Sequence, residues 1–251
     1  MNPLVWLYLA QPITAFVVTF LLLLVYYRRD FLTVELLGFS FLAYSVAIGG
    51  KVMVQLFLSA PSNLVLAGAF YSLQTVLLEV GLAYLFARYA LAKNSIRAAQ
   101  APAYGAALAF WENGLLLGIL ALPATIVAIS AGGSGLPSGS LGEVLALVAL
   151  GTLERLSSVL LHFSWGVLTV IAAASRKTKY LWVALPMGLV DFLVPFANSF
   201  SLLAFELTVF LLSALSLVVT YLMTRKDWPA VWRFSGDPAR PIAPSREGSH
   251  L

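Results

Sequence analysis

The sequence predicts an all-α integral membrane protein, built as a bundle of seven transmembrane helices. Composition and the spacing of apolar runs carry this prediction. Of the 251 residues, 61% are hydrophobic and 10% are charged, and the mean hydropathy is +0.92. Soluble domains carry about 25% charged residues, so this composition is typical of an integral membrane protein.

Seven apolar runs are each long enough to span a membrane, which takes ~20 helical residues for ~30 Å of hydrocarbon. The first run has no basic residues before it and no small-residue cleavage site after it. We therefore expect a membrane span there and not a cleaved signal peptide. The predicted spans are residues 3–27, 31–58, 63–87, 101–130, 143–174, 180–201 and 202–223.

The basic residues predict how the bundle is oriented. Lys and Arg fall in every second connection, at residues 28–29, 88–97 and 176–179, and again after residue 224. The connections at 59–63 and 130–142 contain none. Because basic connections remain on the cytoplasmic side, we predict an N-terminus outside and a C-terminus in the cytoplasm.

Two regions follow from this pattern, a transmembrane domain at 1–226 and a cytoplasmic tail at 227–251. The tail is rich in Pro, Gly and charge, so we expect it to be disordered. The chain has no cysteine, which excludes disulfides, Cys-ligated zinc and thiol nucleophiles. The net charge of +4 is scattered among connections. The expected partner is the lipid bilayer of the cell membrane and not a nucleic acid.

Ionisable side chains inside the spans are the candidate functional residues, because each costs several kcal/mol in lipid unless it faces the bundle interior. Counted at ~1.5 Å per residue from the basic connections, four of them lie at similar depths, near the middle or in the inner half of the bilayer. They are Glu79, Glu112, His162 and Asp191. We predict that these four side chains converge on one cavity.

The fifth span carries a polar face of its own. Glu154, Ser158 and His162 follow one another at intervals of four, and Arg155 lies on the same broad face. We predict that Glu154, Arg155 and Ser158 form a structural, buried polar network. In the second span, Lys51 and Glu35 are expected either to pair or to lie near the membrane interfaces.

Residue types and spacing leave three interpretations open for these groups. They can be buried pairs that fix helix register, a metal or catalytic site, or a path for protons or ions. An imidazole with carboxylates can hold a divalent metal such as zinc, while a further glutamate activates a bound water.

Several segments resemble one known family. They include "LLEVGLAYLFARY" in the third span, "YGAALAFWENGLLLG" in the fourth and "ERLSSVLLHFSWGVLTVIAAASRKTK" in the fifth. Together with "PMGLVDFLVP" in the sixth, they resemble the YhfC-type branch of the intramembrane metalloproteases, which is related to the CAAX-processing and PrsW-type proteases. The resemblance extends over residues 3–223.

The resemblance implies an intramembrane, metal-dependent peptidase with a water-filled cavity in the inner half of the bilayer. A transmembrane peptide or protein would be its substrate or partner, and zinc its metal. Glu79 would be the water-activating base. Glu112 would be catalytic and, with His162 and Asp191, would bind the metal.

The sequence departs from that family at three positions. Glu79 has Leu78 and Val80 as neighbours where a second glutamate is common, and Leu108 and Met187 stand where histidines are common. These departures favour an alternative, a catalytically degenerate relative that acts as a membrane scaffold or partner-binding subunit. The non-catalytic seven-helix accessory subunit of γ-secretase belongs to the same wider superfamily. An ion-coupled transporter is a second alternative, but the sequence has no visible inverted repeat.

Overall fold

The computed structural model describes residues 3–133, 136–137 and 139–232, and within these ranges the chain is helical and forms no β-strand. Seven helices are long and apolar enough to cross a membrane, which confirms the predicted count. They are α1 (Leu4–Tyr27), α2 (Val34–Phe57), α3 (Leu64–Ala92), α4 (Ala98–Ser130), α5 (Leu141–Ser175), α6 (Thr178–Ser199) and α7 (Leu202–Thr224). A short helix, α8 (Pro229–Trp232), follows.

Local chemistry sets several helix boundaries. At four helix starts, a side-chain oxygen accepts a backbone N–H that lacks a partner within the helix. The residues are Thr33, Asn63, Ser140 and Ser201. α3 continues to Ala92, beyond its predicted end, because the apolar helical period persists and the charged side chains at this end remain exposed.

The connections group at two ends of the bundle. The end formed by residues 28–33, 93–97 and 176–177, which carry the basic residues, is called the basic end. There, Gln100 Nε2 donates to the carbonyl oxygen of Phe31 at 2.9 Å. At the opposite end, Tyr8 Oη donates to the carbonyl oxygen of Pro137 at 2.9 Å and ties α1 to the connection between α4 and α5.

The half of the bundle near the basic end is a closely packed core. Residues 101–109 of α4 and 161–172 of α5 are buried at every position. α4 and α5 cross in direct contact, since a Cβ added at Gly105 would lie 2.5 Å from the carbonyl oxygen of Phe163, and one at Gly166 would lie 2.5 Å from Cα of Gly105. Only glycine permits this approach.

The central helix of the bundle is α5, which packs against α1, α3, α4, α6 and α7. Toward the end opposite the basic connections, the helices expose more of their apolar surface, as at Leu56 and Phe57 of α2. Side chains of this kind face lipid when the helices span a bilayer.

The segment after α7 returns to the bundle. Asp227 accepts hydrogen bonds from Tyr180 Oη at 2.7 Å and from Lys179 Nζ at 3.1 Å, and these bonds hold the pKa of the Asp227 carboxyl below its usual value. Trp232 Nε1 donates to Thr224 Oγ1 at 2.7 Å. Of the tail predicted to be disordered, residues 229–232 thus form α8, and residues 233–251 lie outside the described part of the chain.

Candidate metal centre

Both glutamates at the centre of the bundle lie where the backbone leaves the α-helical pattern. Glu79 is in a π-helical segment of α3, Thr75–Val80, and Glu112 is in a π-helical segment of α4, Phe110–Leu120. A π-helical turn closes its hydrogen bonds over one more residue than an α-helical turn, and such turns are frequent at functional sites. The wider turns change which side chains α3 and α4 direct toward the interior.

Asp191 lies in a third segment of unusual backbone. The second part of α6, Leu185–Ser199, is a 3₁₀ helix with Pro186 near its start and Pro195 inside it. Proline lacks the N–H that an α-helix needs, so the two prolines favour the altered pattern around Asp191.

Glu79, Glu112 and His162 form a cluster that we call the ligand group. One potential ligand atom from each residue lies within 4.8 Å of those of the other two. His162 Nε2 lies 2.8 Å from Glu112 Oε2 and 3.3 Å from Glu79 Oε2. The three side chains are shielded, with 6% of His162, 19% of Glu112 and 9% of Glu79 exposed. Each comes from a different helix, so tertiary packing assembles the group.

The other nitrogen of His162 sets the orientation of the ring. Nδ1 lies 2.9 Å from the backbone oxygen of Ser158 and 3.2 Å from its Oγ. We assign the Nδ1 proton to the bond with the carbonyl oxygen, which leaves a lone pair on Nε2. Nε2 is buried, and although it lies close to both carboxylates it makes no hydrogen bond of regular geometry among the residues described. Metal-ligating histidines commonly have this arrangement, with one nitrogen bonded to a carbonyl and the other free to bind the ion.

The distances in the ligand group are compatible with a single ion. Atoms bound at ~2.0–2.2 Å to one tetrahedral ion are ~3.3–3.6 Å apart, and the separations of 2.8 and 3.3 Å from His162 Nε2 are close to that range. One imidazole nitrogen with two carboxylate oxygens suits zinc, manganese or iron and leaves a further position for water. The residues present therefore fit a divalent metal.

Glu112 is held by the network on α5 that the sequence predicts as structural. Ser158 Oγ donates to Glu112 Oε1 at 3.3 Å, and Arg155 Nη1 lies 3.9 Å from the same oxygen. Arg155 also pairs with Glu154, and Asn113 Nδ2 donates to Ser158 Oγ at 3.0 Å. Glu154, Arg155 and Ser158 thus surround the ligand group and help to orient it.

Lys51 connects the ligand group to Asp191. Its ammonium pairs with Glu79, donates to Thr75 Oγ1 at 2.7 Å and lies 3.5 Å from Asp191 Oδ2. Thr75 Oγ1 in turn donates to Asp191. The three N–H bonds of one ammonium therefore meet three oxygens on α3 and α6. Glu35 is exposed in the first turn of α2, and Lys51 pairs with Glu79, so of the two alternatives for Lys51 and Glu35 the pairing does not form.

A cavity of about 270 Å³ contains these groups and is lined by residues of α2 to α7. Its charged wall includes Lys51, Asp191 and Arg155, and its apolar wall includes Trp165 and Met187. Glu206 of α7 also lines the cavity and is buried, with Oε2 unbonded among the described residues. A cavity with a concentrated polar wall and an apolar remainder is typical of a small-molecule or peptide site.

The structure distributes the predicted site residues differently from the sequence interpretation. Glu79, Glu112 and His162 come together, whereas Asp191 lines the same cavity without belonging to the ligand group. The sequence interpretation made Glu79 the base and Asp191 a ligand, whereas the structure places Glu79, and not Asp191, in the ligand group. Lys51 and Thr75 were not placed in the site from sequence. For Lys51, the sequence offered one signal: this residue is a cation inside the second span, ~25 Å from Val34 by helical rise.

Both positions where the family resemblance implies a histidine face the site. Met187 lines the 270 Å³ cavity, and Leu108 lines a small adjoining cavity together with Glu79 and His162. Both side chains are buried. Because both side chains are apolar, neither position supplies a nitrogen ligand to the ligand group.

The chain matches no protein-family model, no curated protein and no solved structure.

Proposed function

We propose that this chain is a membrane-embedded, metal-dependent hydrolase that cleaves peptide bonds within or beside the bilayer. Glu79, Glu112 and His162 would hold its divalent ion. The observation that carries the proposal is the buried Nε2 of His162, which makes no hydrogen bond of regular geometry among the described residues and lies close to one carboxylate oxygen of each glutamate. A lone pair facing two anionic oxygens is unfavourable, so the cluster needs a positive charge, either a metal ion between the three residues or a proton on Nε2, and the metal measurement below separates the two.

When bound, the ion would polarise a peptide carbonyl and acidify a water molecule. The residues of the chain orient the ligands around it. Ser158 fixes the ring of His162 through the bond to Nδ1, and Arg155 and Ser158 together hold Glu112. Supporting contacts of this kind keep ligands in place before the substrate arrives.

Asp191 is the carboxylate best placed to accept a proton from the attacking water. It lines the cavity, lies outside the ligand group and has 36% of its side chain exposed. Thr75 and Lys51 fix its Oδ2, so its position does not depend on a bound substrate. A general base needs this kind of placement within reach of the reacting water.

The walls of the cavity favour a substrate that is mostly apolar. Val194 of α6 and Phe205 of α7 line it together with Met187, next to the charged wall. Such a site would accommodate an apolar peptide segment and hold one of its polar backbone groups at the charged wall. This agrees with the substrate class that the family resemblance implies.

The test uses the full-length protein, purified in mild detergent and loaded with Zn²⁺ or Mn²⁺. Metal content is measured by mass spectrometry, and cleavage is followed with a mixture of transmembrane peptides. We expect one ion per chain and cleavage in the wild type. His162→Ala should lose both, Asp191→Asn should keep the ion and lose cleavage, and His250→Ala, at the only other histidine, should keep both. Cleavage that persists in His162→Ala would disprove the proposal.

A non-catalytic scaffold is the second candidate, and one contact favours it. The Lys51 ammonium already neutralises Glu79 and lies beside Asp191, so a resident cation could hold the site together permanently. This candidate predicts a folded wild-type protein that binds no stoichiometric metal and cleaves no peptide in the same experiment.

A further inference from the structure

A second cavity lies beside the candidate metal centre, toward the end of the bundle opposite the basic connections. Its volume is about 240 Å³, and it lies between the start of α1 and the second half of α4. Gln11, Thr125 and Tyr8 contribute polar atoms to its lining. A cavity that accepts waters needs polar partners and space for at least one molecule, and this cavity has both.

Arg155 separates the two cavities, because its side chain lines both of them. One side of its guanidinium faces Glu154 and Glu112. Its Nε atom is buried and has no hydrogen-bond partner in the part of the chain that the structure describes. Since a buried N–H without a partner costs ~1–3 kcal/mol, a water molecule at Arg155 would be well bound.

Water cannot pass easily between α4 and α5 at the basic end. There α4 and α5 are buried at every position from 101 to 109 and from 161 to 172, and the Gly105–Gly166 crossing leaves no space between the helices. The lining of the second cavity is more open, since Gln11 and Thr125 are each partly exposed. Of these two sides, the one with space for water is therefore the second cavity at the opposite end.

We propose that the second cavity is the water entrance of the metal centre, and that Arg155 is the side chain past which water moves. Water would enter between α1 and α4, pass Gln11 and Thr125, and reach Glu112 at the guanidinium of Arg155. This inference deepens the proposed function, because a hydrolase consumes one water molecule in each cycle. The peptide would use the larger cavity, and the two reactants would arrive from different directions.

Hydroxyl-radical footprinting of the full-length protein tests this route, because it oxidises side chains that lie next to water. Met187 and Trp165 report on the site cavity, which both of them line. We expect both to be oxidised in the wild type. Ala121→Trp, which fills the second cavity, should lower both oxidation rates several-fold. Val127→Trp is the matched control, since Val127 lies in the same helix, is 67% exposed and does not line that cavity.

Two further variants keep the test decisive. Thr125→Trp fills the same cavity from another position if Ala121→Trp does not fold. Arg155→Lys keeps the positive charge but vacates part of the shared wall, so it should raise the oxidation rates. Unchanged oxidation in the filled variants, or a wild type in which Met187 and Trp165 are not oxidised, would overturn the water route. The readout needs neither metal nor cleavage, so failure of the proposed function would be seen separately.

Discussion

Lys51 Nζ lies 3.5 Å from Asp191 Oδ2 and joins α2 to α6 across the site cavity. The same ammonium pairs with Glu79, a member of the ligand group. Two carboxylates that would otherwise repel each other in a shielded cavity thus share one cation. The site contains its own counter-charge, and a metal that binds Glu79 must compete with it.

Lys51→Met should therefore lower the stability of the metal-free protein and raise its affinity for metal. Without metal, the variant should have a lower thermal midpoint than the wild type, because Glu79 and Asp191 lose their shared cation. With metal, the affinity should rise several-fold, because the competing ammonium is absent. Thermal unfolding in detergent across a series of Zn²⁺ and Mn²⁺ concentrations measures both effects. Lys93→Met, at an exposed position, is the control. A weaker metal affinity in Lys51→Met would contradict competition and indicate that Lys51 positions Glu79.

Met187→His should increase metal affinity. The position is buried and lines the site cavity, and a second imidazole makes the donor set better suited to zinc. We expect an affinity several-fold above that of the wild type in a competition titration with a chelator. Leu189→His, in the same helix but 50% exposed, should bind no more tightly than the wild type. Equal affinities for Met187→His and Leu189→His would show that position 187 does not reach the ion.

Arg155→Ala should destabilise the bundle. It leaves Glu154 without its partner and takes a cation from beside Glu112. Glu154 is half-exposed whereas Glu112 is shielded, so the cost comes mainly from the uncompensated charge of Glu112, and the thermal midpoint in detergent should fall. Arg88→Ala, at an exposed position of α3, should leave the midpoint nearly unchanged. A similar midpoint in both variants would mean that water already compensates Glu154 and Glu112.

The helix count and the common level of the ligand group could be predicted from sequence because both depend on regular α-helical geometry. Apolar length identifies a span, and a rise of ~1.5 Å per residue gives a depth. The separation of Asp191 from the ligand group could not be predicted in this way. Glu79 lies within a π-helical segment and Asp191 within a 3₁₀ segment, and both kinds of segment change side-chain direction without changing hydropathy. The place of Lys51 was missed because depth does not show which neighbour a helix face meets.

The orientation of the bundle stays a prediction from the basic connections. Reporter fusions after residue 226 and in the connection 131–140 should report opposite compartments, with the first one cytoplasmic. The reason is that an odd number of spans, the three helices α5, α6 and α7, separates the two fusion points. The control is a fusion in the connection 93–97, which should agree with the one after residue 226. The same compartment for 131–140 and the C-terminus would mean that one of the seven helices does not cross the bilayer.

The π-helical segment Thr75–Val80 makes the centre sensitive to a change of one residue in chain length. A π-helical turn holds one residue more than an α-helical turn, so deleting one residue there would let α3 return to regular α-helical winding and would redirect the side chains within the segment. Glu79 would then leave its place beside His162, although α3 would remain almost as long and as apolar as before. The loss of a single codon could thus remove the chemistry of the site and leave a protein that still inserts and packs as a membrane bundle.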